Sequence, residues 1–149
     1  MGPAQRLTRI VMAGYSGTPL ARKLGIKAGA QVHAAGAPAN YLNLLAPLPP
    51  DVTFVSPLSA TTDIAHLFIR KRAELEKTLR AWLVELKPDG AIWVSWPKRA
   101  SGIATDITEN DIRKAALPLG LVDVKVCAID DTWSGLKLVI RKENRTKGS

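Results

Sequence analysis

Cysteine is almost missing from this sequence: Cys127 stands alone among 149 residues, so no internal disulfide can form. Histidine is nearly as scarce. His33 and His66 each sit in an apolar run with no cysteine or acid at ligand spacing, which excludes the usual zinc frameworks. Both imidazoles are expected to be satisfied, buried or half-buried side chains, and Cys127 a small core residue. No uninterrupted apolar run approaches about 18 residues, which argues against a membrane span. The apolar part of the N-terminal stretch, residues 10–13, is too short for a secretory signal. With a lone thiol, that predicts a reducing, cytoplasmic setting.

What is present fits one soluble domain. Hydrophobic residues make up 46% and charged residues 23% of the chain, an ordinary globular balance. The net charge of +8 is concentrated at the ends. Arg6 and Arg9 carry +2 and the last nine residues +3, leaving +3 over residues 10–140. Basic tails bind phosphate backbones weakly and without sequence preference, so nucleic acid is a disfavoured partner. The expected organisation is one α/β domain over residues 10–142, with basic flexible tails at 1–9 and 143–149.

The stretch "GYSGTPLARKLG" reads as a glycine-flanked loop, with Thr18 as N-cap and Pro19 at the first position of a short helix, residues 20–24. A strand follows at residues 31–35, then a brief helix with Tyr41, Leu44 and Leu45 on one side. "DVTFVSP" predicts a strand of five or six residues, and "DIAHLFI" a further strand, or else the first turns of the next helix. From about Arg70 to Leu86, Leu75, Leu79, Trp82, Leu83 and Leu86 form one apolar stripe, with Glu76 and Arg80 paired on the other side. Residues 91–96 form a continuous apolar run, the signature of a strand covered on both faces. Thr108 caps another helix, with Glu109 and Asp111 in its first turn. "LVDVKVCAID" and "SGLKLVIRK" form a hairpin whose alternation sets Val122, Val124 and Val126 against Asp123 and Lys125.

That order predicts a three-layer, doubly wound, mostly parallel sheet with a C-terminal antiparallel hairpin, the methyltransferase-like variant of the Rossmann fold. Four segments occur in sequence: "LGIKAGAQVHAAG" (24–36), "GAIWVSWPK" (90–98), "TENDIRKAALPLGL" (108–121) and "DTWSGLKLVIRK" (131–142). Together they resemble the small bacterial proteins grouped as domain of unknown function 3052, from about Thr18 to Lys142. The resemblance implies a compact cytoplasmic protein of a family without established activity. It differs after the first strand, where "APANYLNLLAPLPP" replaces a more acidic stretch.

Methyl transfer by the usual cofactor mode requires a glycine-rich turn after the first strand and an acid ending the second. Here the first strand leaves through "HAAGAPANY", with one glycine, and Val52 to Val55 runs into Ser56-Pro57. No cofactor, metal or catalytic set is therefore predicted. Ligands of open α/β sheets sit beyond the carboxyl ends of strands, where Trp96 offers a stacking face and Lys98 and Arg99 offer charge. Gly14, Ser16, Gly17 and Thr18 form a second candidate anion cradle, and Asp130 with Trp133 can face a cleft. The leading expectation is a non-catalytic binding or regulatory protein that engages a small anionic metabolite or a protein partner there. The alternatives are an S-adenosylmethionine-binding enzyme with a divergent site and a weak nucleic-acid binder acting through its tails.

Overall fold

The structure is a computed structural model and describes residues 18–145. Gly14, Ser16, Gly17 and the tail at residues 1–9 lie outside the described residues. Six strands form one sheet: β1 (Gln31–Ala35), β2 (Thr53–Phe54), β3 (Ile64–Phe68), β4 (Ala91–Pro97), β5 (Leu121–Ala128) and β6 (Trp133–Ile140). The spatial order is β2-β1-β3-β4-β6-β5. The first four strands run parallel, β6 lies antiparallel to β4, and β5 closes the edge antiparallel to β6. The helices are α1 (Leu20–Lys23), α2 (Tyr41–Leu45), α3 (Leu75–Glu85) and α4 (Glu109–Ala116). This is the mixed, mostly parallel sheet with a C-terminal hairpin that the residue order implies.

Strand β4 is the spine, because every one of its seven residues is buried. Ile92, Val94 and Trp96 enter the core beneath α3 and α4, with Leu79, Ile112 and Leu136. Trp93 enters the opposite core with Leu24, Tyr41 and Phe68. Its indole N–H donates to the Leu24 carbonyl at 3.0 Å, so the buried ring leaves no orphan donor. The α3 stripe behaves as its spacing requires: Leu75, Leu79 and Leu86 are buried, while Trp82 and Leu83 pack at the margin. Its first turn is a 3-10 turn, Arg72–Glu74, so the α-helix proper starts at Leu75 rather than near Arg70. On α4, Thr108 and Asp111 close a reciprocal capping box.

Three local expectations need correction. Helix α1 is capped by Pro19 rather than Thr18, and proline has no side-chain acceptor to give to the helix amides. Strand β2 is only Thr53–Phe54, both exposed, because the strand lies at the sheet edge with β1 as its one neighbour. The hairpin also changes phase. Asp123 pairs with Leu138 and Lys125 with Lys137, which leaves Val124 as the extra residue of a bulge. Val124 is 53% exposed as the bulge residue, and Val126, on the same face as its partner Leu136, is still 48% exposed because its strand is the sheet edge. Asp123 falls on the α4 side, where it accepts a 2.7 Å bond from the Arg113 guanidinium. The chain continues beyond residue 142 as the 3-10 turn Lys142–Asn144, and the Arg145 Nε then donates to the Ile140 carbonyl.

Candidate functional site

From β1 the chain moves outward to β2, then returns across β1 to β3 on the other side. The connections therefore diverge beyond the carboxyl ends of β1 and β3, which opens a crevice there. Gly36 follows β1 with φ +72°, and a Cβ at that position would stand 2.5 Å from the Phe68 carbonyl oxygen. Only glycine lets the loop lie this close to the end of β3. Beside it opens a cavity of about 470 Å³, lined by Gly36, Phe68, Arg70, Lys71, Glu74 and Trp133 among others. Arg70 and Lys71 are exposed and Trp133 is half-buried. The indole of Trp133 meets the Phe68 ring edge-on, with 5.0 Å between centroids. The neighbouring β4 exit comes to the same edge, because Pro97 pairs with Trp133 and the Lys98 N–H donates to the Thr132 carbonyl at 2.7 Å.

A buried polar chain lies under this aromatic wall. His66 on β3 is fully enclosed, its Nδ1 2.7 Å from the Tyr41 hydroxyl and its Nε2 2.7 Å from the Ser95 hydroxyl. Burial pushes the imidazole pKa down to about 3, so the ring is neutral. Burial also raises the Tyr41 pKa, keeping its hydroxyl protonated. The neutral ring donates through one nitrogen and accepts through the other, so one of the two hydroxyls gives it a hydrogen bond and the other receives one. The ring also stacks on Phe68 with 4.2 Å between centroids. This chain fixes α2, β3 and β4 to one another and holds the Phe68 ring against which Trp133 rests. Ser95 has no exposed surface, so its hydroxyl is a structural partner of the imidazole rather than a nucleophile presented to a ligand.

The residues singled out from sequence separate on the structure. Trp96 is 9% exposed and belongs to the core beneath α3 and α4, so it has little face to offer a ligand. Lys98 is half-buried and Arg99, opening a short 3-10 turn, is exposed. Asp130 uses one carboxylate oxygen to accept the N–H groups of Thr132 and Trp133, which shapes the hairpin turn. Thr18 is half-buried ahead of α1. Of the set, Trp133 lines the cavity. Gly36, Phe68, Arg70 and Lys71 were not singled out from sequence. The available signal was the basic run Arg70-Lys71-Arg72 directly after an apolar strand, which the helical stripe absorbed. Among the described residues, no cluster of histidine, cysteine or acids is arranged to hold a metal, and no helix is long and apolar enough to cross a membrane.

Comparison with solved structures returns the same architecture. The chain is similar to a SAM-dependent methyltransferase from Aquifex aeolicus, with TM-score 0.57, 13% identity, and coverage of 81% of this chain and 88% of that one. It is also similar to the 1,6-didemethyltoxoflavin-N1-methyltransferase of Burkholderia thailandensis, with TM-score 0.54, 17% identity, and coverage of 83% and 75%. The Methanococcus jannaschii fibrillarin pre-rRNA processing protein aligns with TM-score 0.54 at 10% identity, covering 86% and 71%. At such identities the likeness establishes the methyltransferase-like fold and not the activity. No curated protein matches the chain in sequence. The crevice residues Phe68, Arg70, Lys71 and Trp133 all lie within residues 58–142, whereas the short α1–β2 half and the "LGIKAGAQVHAAG" segment precede them. Residues 58–142 match the family described as Protein of unknown function (DUF3052), and this chain belongs to that family.

Proposed function

We propose that this protein is a non-catalytic binding protein that takes a small anionic ligand in the carboxyl-edge crevice. One observation carries the reading: Arg70 and Lys71 line the same 470 Å³ cavity as the half-buried indole of Trp133. Such a cavity suits a molecule with a flat apolar body and a phosphate or carboxylate group. The indole gives the body a face, and the cations meet the charge. Glu74 on the wall disfavours a ligand whose charge is spread over its whole length. The second reading, an S-adenosylmethionine-binding enzyme with a divergent site, is favoured by the fold of the structural neighbours. Against it stand a five-residue α2, a two-residue β2, and a turn after β1 with one glycine packed onto Phe68.

The two readings separate in one experiment. Thermal shift and calorimetry are run with nucleoside mono- and triphosphates, sugar phosphates and S-adenosylmethionine. The binding reading expects at least one phosphate compound to raise the melting temperature, and Arg70→Gln to weaken it about tenfold. S-adenosylmethionine should give no heat at millimolar concentration. Micromolar binding of S-adenosylmethionine would transfer support to the enzyme reading, and a panel without any shift would end the small-ligand reading.

A further inference from the structure

At the opposite edge of the sheet, where β3 and β4 begin, a second cavity of about 490 Å³ opens against the loop of residues 24–30. Its charged lining consists of Lys27, Lys87, Lys137, Asp63 and Asp89. These groups divide into two halves. Lys87 lies 2.6 Å from an Asp63 oxygen and 3.9 Å from Asp89, so its charge is answered. The second Asp63 oxygen is also engaged, accepting the Gln31 N–H at 2.9 Å. Lys27 and Lys137 have no carboxylate partner among the described residues. The Lys137 ammonium is held over the loop, 3.8 Å from where a Gly25 Cβ would stand. Neighbouring Lys125 spends one of its donors on the Lys23 carbonyl, at 3.1 Å.

We propose that this amino-edge cavity is a binding site for a small phosphate-class oxyanion, held by Lys27 and Lys137. Lys137 is half-buried on β6, so its ammonium has lost part of its hydration without gaining a counter-charge. Burial lowers its pKa, and the charges of Lys125 and Lys27 lower it further. Several ammonium groups facing a concave space repel one another until an anion enters, and each then gains a charge-assisted hydrogen bond. Gly25 and Gly29, at φ +84° and +79°, add no side chain to the loop wall at those two positions. The carboxylates of Asp63 and Asp89 line the same cavity, so an extended polyanion such as nucleic acid would run into them. A compact anion on the lysine half would not.

The probe is inorganic phosphate, titrated against sodium chloride at matched ionic strength and followed through backbone amide resonances. Saturable shifts at Gly25, Gly29 and Lys137 are expected with phosphate and not with chloride. Lys137→Gln should weaken that binding by about tenfold or more. Lys27→Gln, on an exposed loop residue that cannot disturb the core, should do the same, while Lys77→Gln on the exposed face of α3 should leave it intact. Equal losses in all three variants, or shifts that grow linearly and match those with chloride, would overturn the site. Shifts confined to Gly36 and the Trp133 indole would also overturn it, while supporting the carboxyl-edge reading instead.

Discussion

His66 should make this protein lose stability on mild acidification, well before its carboxylates titrate. The folded imidazole is enclosed and neutral, with its pKa lowered by burial to about 3. The unfolded chain titrates near the ordinary value of about 6.5. Because the folded pKa is the lower one, the unfolded state binds the extra proton first. The stabilisation is fully present above pH 6.5 and falls as the pH drops toward 3. Over that window the loss approaches about 1.4 kcal/mol per pH unit, or about 2 kcal/mol between pH 7.5 and pH 5. The assay is urea unfolding across that range, with the imidazole resonances followed to locate the folded titration. The reference is a variant in which the whole chain is made apolar, His66→Phe with Tyr41→Phe and Ser95→Ala. Replacing His66 alone would strand the Tyr41 and Ser95 hydroxyls. Wild type should lose about 2 kcal/mol relative to this reference. Parallel curves, or an imidazole titrating near pH 6.5 in the folded state, would refute the reasoning.

Two further outcomes follow from the backbone. Gly36→Ala should destabilise the fold by about 2 kcal/mol, since it forces a Cβ against the Phe68 carbonyl at a left-handed φ; an unchanged urea midpoint would contradict the close approach. Val126→Thr should change stability by no more than about 0.5 kcal/mol, because the side chain lies half exposed on the edge strand. Leu136→Ala, directly across the hairpin and fully buried, should cost about 3 kcal/mol. Equal costs at the two positions would show that the edge strand is covered as fully as its neighbour.

The contrast between those hairpin positions shows why some features were legible from sequence and others were not. Residues 91–96 read as a doubly covered strand because a run whose one polar residue is the small Ser95 has no face to give to water. Thr108 and Asp111 read as a helix start because their reciprocal bonds span three residues. Both signals are local. The phase of β5 was misread because one inserted residue, Val124, reverses every later side chain while leaving the alternating pattern intact. The crevice was harder still. Gly36, Arg70 and Trp133 lie far apart in the chain, and only the strand order brings them to one edge. Trp96 drew attention as an aromatic beside a basic exit, yet strand periodicity places it on the core face beneath α3 and α4. Trp133, on the antiparallel strand, reaches that edge from the other direction.

The carboxyl-edge crevice is the centre of this account, and the Trp133 indole N–H and the Gly36 amide are its natural reporters. The most direct test follows both resonances while the protein is titrated with adenosine monophosphate and, separately, with S-adenosylmethionine. The account predicts that the monophosphate moves both signals saturably and that Arg70→Gln removes the response, while S-adenosylmethionine leaves them in place. Movement with S-adenosylmethionine alone, or a monophosphate response that Arg70→Gln does not change, would contradict it.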